Sequence, residues 1–190
     1  MLDIIGHVLS FSVYEGLVFG LIAIGMYVSF IMLKFPDLGV EGGFPMGGAL
    51  AATLIVGGVN PFLATLAAFG LGLVVGLFTA SLNTYFRIPA ILCGVITIAV
   101  CWSLNLKIMG GANVSLLRED TIFDRAAGFL GLTPGSITVS IIVAAVITII
   151  VFLILNWFMR TEVGLALRAT GANEKMVRAL GSDVEKNILL

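Results

Sequence analysis

From Phe62 to Phe86, and again from Ser136 to Met159, the chain carries not one charged residue. About 20 apolar residues of α-helix are needed to cross the hydrocarbon core of a bilayer. Runs of that length read as membrane-spanning helices, and the chain has about five. Composition points the same way. Of the 190 residues, 59% are hydrophobic and 11% are charged, against roughly 25% charged in soluble domains. With a mean hydropathy of +1.15, too little polar surface is left to solvate a compact domain. The sequence therefore predicts an all-α integral membrane protein. A net charge of -1 argues against a nucleic-acid partner, whose binders carry a basic footprint.

The spans run about 8–33, 40–56, 62–86, 90–109 and 136–159. Lys34, Pro36 and Asp37 end the first. It lacks the basic start of a cleaved signal, so it is read as a retained helix. The second is short, and Gly42, Gly43 and Pro45 near its start predict a broken or re-entrant helix. Such breaks survive in membranes where protein covers the backbone or where it lines a cavity. Between the second and third spans, Gly57-Gly58-Val59-Asn60-Pro61 reads as a tight turn, with Asn60 as helix cap and Pro61 at the first helical position. Glycine pairs at four-residue spacing, Gly16/Gly20 and Gly72/Gly76, would permit close helix crossings. Cys93 and Cys101 would lie about 12 Å apart along one helix, too far for a disulfide. His7 is the single histidine, and no ligand cluster for a metal is visible.

Lysine and arginine set the orientation. With the C-terminal tail inside, Lys34, Arg87, Arg160, Arg168, Lys175, Arg178 and Lys186 lie inside, and Lys107, Arg118 and Arg125 outside. That places the N-terminus outside and the polar stretch from Gly110 to Pro134 on the outer face.

Ionisable and polar residues within spans are costly and mark candidate sites. Glu15 is a candidate solute contact or a hydrogen-bond partner to a neighbouring helix. Thr97, Ser103 and Asn105 are candidates for a solute pathway or for interhelical hydrogen bonds. Asp37, Glu41, Gly42 and Gly43 mark a gate or the break itself, with the two acids also suited to a helix N-terminus.

Beyond Arg160 the composition changes. One short helix is predicted from about Glu162 to Thr170, stopping at Gly171, with Val163, Ala166, Leu167 and Thr170 on one face. A second follows Asn173 as N-cap, from about Glu174 to Leu180, stopping at Gly181, with Met176, Val177 and Leu180 as its apolar face. Such a pair can lie on lipid or dock into a groove of a soluble partner. Small apolar faces without aromatic residues favour docking.

The stretch Gly164-Leu-Ala-Leu-Arg-Ala-Thr-Gly-Ala-Asn173, continuing to Ala179-Leu-Gly181, resembles the cytoplasmic coupling loop of ABC-importer permeases of the branched-chain amino acid and ribose type. Asp37-Leu-Gly-Val-Glu-Gly42 is similar to the segment opening the second helix in that family, with Gly39 where serine or threonine is common. Within the superfamily, Phe35-Pro-Asp-Leu38, Val40-Glu-Gly42 and the loop from Asn113 to Asp120 most resemble a subgroup linked to tryptophan and tyrosine uptake.

The resemblance implies a transport subunit rather than an enzyme. Two permease copies would form the pathway. A cassette ATPase, holding ATP and magnesium, would dock on each coupling loop through Glu162, Gly164, Leu167, Arg168, Gly171, Asn173, Met176, Leu180 and Gly181. An extracytoplasmic binding protein would deliver a small solute, an amino acid of possible aromatic type, to a bacterial inner membrane. A sugar or other small solute, or a secondary transporter, is the alternative. The chain has no Gly-x4-Gly-Lys-Ser/Thr loop to cradle ATP phosphates itself. On this resemblance residues 1–190 form one permease domain, 160–181 its coupling loop, and 182–190 the start of a further helix. The chain is then expected to be the first part of a longer permease.

Overall fold

The structure, a computed structural model, describes residues 2–32, 34–116, 121–129 and 137–179. These residues form helices and connecting turns, with no strand among them. The helices are α1 (Leu2–Tyr27), running into a π-helical turn (Val28–Met32), then α2 (Val40–Val56), α3 (Pro61–Phe86) and α4 (Ala90–Met109). They continue with α5 (Ile122–Phe129), α6 (Ile137–Phe158), α7 (Glu162–Ala172) and α8 (Glu174–Ala179). Among the described residues, four stretches are long and apolar enough to cross a membrane: Ile5–Met32, Pro61–Phe86, Ala90–Met109 and Ile137–Phe158. α2, at 17 residues, rises only about 25 Å. The protein is a multi-pass membrane protein, and Phe62, Phe69, Phe86, Phe152 and Trp157 are among the large apolar side chains left exposed for lipid.

Local chemistry sets the helix ends. Asn60 accepts a 3.1 Å bond from the Phe62 amide, and Pro61 opens α3, as its missing N–H permits at that position. Arg87, at φ 55°, ends α3, and Asn83 Nδ2 donates 2.8 Å to the Ile88 carbonyl, closing the turn into α4. In α5, Thr121 and Asp124 cap each other reciprocally: the Thr121 amide and hydroxyl donate to the Asp124 carboxylate at 3.0 and 2.6 Å, and the Asp124 amide donates back at 3.4 Å.

Two groupings emerge. α2 packs along both α3 and α4, while α1 pairs with α6. α5 lies on α6, where Phe123 packs against Val139 and Val143 and meets Tyr14 of α1 edge-on at 5.7 Å.

The structure corrects the expected break. α2 is continuous through Gly42, Gly43 and Pro45. Proline there removes one backbone bond near the helix start, which neighbouring helices make tolerable. The irregular backbone lies earlier, from Lys34 to Leu38. Gly16, Gly20, Gly72 and Gly76 all face open space, so none of them mediates a close crossing among the described residues. Close approach falls instead to Gly39, Gly42 and Gly94.

Candidate functional site

The non-helical segment 34–39 enters the α2–α3–α4 group from the end that carries α7. A β-carbon on Gly39 would stand 3.0 Å from Thr79 Oγ1 and 3.1 Å from Thr97 Cγ2. Thr79 and Thr97 each stand seven residues inside their helices, from Phe86 and Ala90 respectively, about 10 Å at helical rise. Irregular backbone at that depth is sheltered by α3 and α4, as a membrane interior demands. A β-carbon on Gly94 would meet the Leu38 amide nitrogen at 2.7 Å, and one on Gly42 would meet Ile98 Cα and Cys101 Cβ, each at 2.9 Å. The seam between α2 and α4 is thus backbone against backbone.

Several residues of the entering segment are tied. The Phe35 amide donates to the Ser29 carbonyl at 3.0 Å, and the Ser29 hydroxyl donates to the Phe35 carbonyl at 2.8 Å. Asp37 Oδ1 accepts a 2.7 Å bond from the Gly39 amide. Asp37 therefore shapes the turn before α2, and Gly39 occupies the cap position. Glu41, in the first turn of α2, is exposed.

On α4, Cys93, Thr97, Cys101 and Asn105 recur every four residues and form one buried stripe, none more than 6% exposed. Thr97 and Thr79 hydroxyls lie 2.9 Å apart, and each also sits within bonding distance of its own helix, at the Cys93 and Val75 carbonyls. Two hydroxyl protons serve these three contacts, so the pair has more than one hydrogen-bond arrangement. Further along the stripe, Asn105 Oδ1 is buried with no hydrogen-bond partner. The arrangement is a buried polar seam, able to hold or rearrange hydrogen bonds. No group of three or more potential metal ligands occurs among the described residues.

The expected pathway residues are thereby separated. Thr97 and Asn105 share the stripe. Ser103 is exposed, its hydroxyl returned to the Ala99 carbonyl at 3.1 Å. Glu15 is exposed on α1, which pairs chiefly with α6. Sequence reading missed Ser29 and Thr79, and noted Gly39 only as a departure from the family segment. Thr79 was visible as a hydroxyl within a span, whereas the packing of Gly39 against Thr79 and Thr97 depends on partners remote in sequence.

At the α6–α7 elbow, the Thr161 hydroxyl donates to the Phe158 carbonyl at 2.6 Å and accepts from the Gly164 amide at 3.4 Å. This cap was legible as a threonine preceding a helix but was missed. A β-carbon on Gly164 would lie 2.5 Å from the Phe158 carbonyl oxygen, so glycine alone permits so sharp a return. α7 packs against the π-helical turn, and its buried face is Gly164, Leu167 and Thr170. Glu162, Val163, Leu165 and Arg168 are exposed; Val163 leaves the face expected for it. α7 also runs through Gly171 to Ala172, because the Asn173 amide bonds back to the Ala169 carbonyl at 3.0 Å. Asn173 Oδ1 accepts from the Met176 amide at 3.1 Å and caps α8. There Val177 is buried and Met176 is 59% exposed. Leu180, Gly181 and the expected helix start at 182–190 lie outside the described residues.

The family described as branched-chain amino acid transport system, permease component, matches residues 8–190. A tyrosine transport system permease protein of Clostridioides difficile (strain R20291) is 30% identical over 170 residues, covering 90% of this chain and 54% of that protein. An uncharacterised protein of Rickettsia prowazekii (strain Madrid E) is 28% identical over 179 residues, covering 94% of this chain and 60% of that protein. The chain thus spans little more than half the length of these relatives. No solved structure matches it.

Proposed function

Because the chain belongs to the branched-chain amino acid transport permease family, we propose that it is the transmembrane subunit of an ATP-driven importer, with α7 and α8 as the docking element for a cassette ATPase. The observation that supports this most directly is the division of α7 into two faces. Gly164, Leu167 and Thr170 are buried, and α7 packs against the π-helical turn, while Glu162, Leu165 and Arg168 stand exposed. A helix held this firmly from behind, with a charged and apolar outer row, suits a groove on a soluble partner. In this reading the α7 end of the bundle is cytoplasmic and the α5 end faces out, where an extracytoplasmic binding protein delivers solute. ATP and magnesium belong to the cassette partner.

Two permease copies line the pathway. The solute is a small amino acid, the aromatic class being favoured by the tyrosine-transport relative. ATP-driven closure of the cassette pair is felt first at α7. The seam around Gly39, Thr79 and Thr97 is the element nearest the cytoplasmic end whose rearrangement opens or closes access.

Co-purification tests the docking. Replacing Gly164–Gly171 with a flexible linker is expected to abolish recovery of the cassette subunit while the membrane helices still insert. Undiminished recovery refutes α7 as the docking element. Thermal-shift screening of the cognate binding protein against amino acids and sugars then identifies the solute class, and a sugar response would overturn the amino acid assignment.

A further inference from the structure

We propose that Ser29 is a positioning residue that carries displacement of α7 into the head of α2, with the π-helical turn Val28–Met32 and the Ser29–Phe35 tie as the latch between them. The proposal rests on the reading of α7 as the cassette-docking element. Four observations support it.

First, the membrane helix α1 does not end as an α-helix. It widens into the π-helical turn Val28–Met32, a geometry that occurs mostly as short departures at functional sites. α7 packs on this turn. Second, most hydroxyls in the bundle return to the carbonyl four residues back, as at Ser10, Ser12, Thr53, Thr65, Ser81, Ser103 and Thr148. Ser29 instead reaches forward to Phe35, and the Phe35 amide returns the bond to the Ser29 carbonyl. This two-point tie encloses Lys34, whose φ of 52° is the left-handed conformation that side chains resist. A strained turn held shut by two hydrogen bonds is a latch.

Third, the connection onward is unbroken. The Phe35 carbonyl accepts from the Asp37 amide at 2.9 Å, Asp37 Oδ1 accepts from the Gly39 amide at 2.7 Å, and the Gly39 carbonyl accepts from the Gly42 and Gly43 amides at 3.1 and 2.9 Å. Fourth, the inner end of this path is closely packed. Leu38 presses on Gly94, and Gly39 on Thr79 and Thr97. A shift of Phe35 carried as far as Gly39 would move the head of α2 or part the α3–α4 contact, where the Thr79–Thr97 pair offers an alternative bonding arrangement.

Native thiols report the result. Cys93 and Cys101 are 0% and 2% exposed; Cys101 is covered by Gly42, and Cys93 lies four residues before Thr97 on the same stripe. In the full permease assembled with its cassette ATPase in liposomes, their reaction with a small methanethiosulfonate is measured without nucleotide and after trapping with magnesium, ATP and vanadate. The wild-type rate is expected to change several-fold on trapping. Ser29→Ala should lose that change while retaining cassette binding and ATP hydrolysis, and Ser29→Thr should restore it. A full nucleotide-dependent change in Ser29→Ala overturns the latch. So does a wild-type rate indifferent to nucleotide in an intact assembly. If Ser29→Ala does not assemble, Lys34→Gly decides: it keeps every tie but relaxes the turn, and must show a diminished change. A wild-type-sized change there also overturns the proposal. Failure of the wild-type chain to bind its cassette subunit is a different result, which removes the docking reading and the latch with it.

Discussion

Gly42 has no room for a methyl group: one placed there meets the backbone of Ile98 and the side chain of Cys101, each at 2.9 Å. Gly72, on a span of the same composition, faces open space. Overpacking a tight contact costs about 1–3 kcal/mol, whereas a change that touches nothing stays within about 0.5 kcal/mol. Gly42→Ala is therefore expected to lower the unfolding midpoint of the detergent-solubilised protein, and Gly72→Ala to leave it nearly unchanged. Equal shifts would show that the α2–α4 seam does not limit packing. Sequence reading took Gly42 as part of a helix break and Gly72 as part of a close helix crossing. What separates them is which helix lies opposite, and no spacing within one segment encodes that. The same holds for Thr97 and Ser103. Both are hydroxyl residues of α4, but the four-residue stripe of Cys93, Thr97, Cys101 and Asn105 faces protein while Ser103 does not.

Among the elements, those whose ends are decided locally were the most legible. Asn60 and Pro61 start α3 through a side chain and a ring that act within two residues. Asn173 caps α8 in the same way. Gly171 was misread as a stop because glycine in a helix costs only about 1 kcal/mol, and the bond from the Asn173 amide carries α7 past it. The elbow into α7 depends on Thr161, which both caps the helix and ties back to Phe158. Losing a cap of this kind costs about 0.5–2 kcal/mol. Thr161→Ala should accordingly speed tryptic cleavage after Arg160, itself exposed at the elbow, by several-fold in detergent. An unchanged cleavage rate would mean that packing of α7 on the π-helical turn holds the elbow by itself.

Across the molecule, the α2–α3–α4 group and the α1–α6 pair divide the bundle, and the segment 34–39 links the two. The excess of lysine and arginine near one end predicts how the bundle sits in the membrane. With Cys93 and Cys101 replaced by alanine, a single cysteine at Ala112 is expected to react with an impermeant maleimide in intact spheroplasts. One at Ala169 should react only after permeabilisation; both sites are exposed. The opposite pattern would invert the proposed orientation and place α7 beyond the reach of any cassette subunit.

Hydropathy, charge and capping chemistry act over one helix or one turn, so the sequence by itself determined the membrane location, the all-helical architecture and most of the helix ends. It also carried, through the run from Gly164 to Asn173, the resemblance to a transport permease. Only the tertiary structure decided where the irregular backbone around the second helix lies. Gly42, Gly43 and Pro45 look like a break in isolation, yet α3 and α4 hold that stretch helical and shelter the irregular backbone at Lys34–Leu38 instead. The physical reason is that an unpaired backbone group in a membrane is tolerable only where other protein covers it, and cover is a property of neighbours.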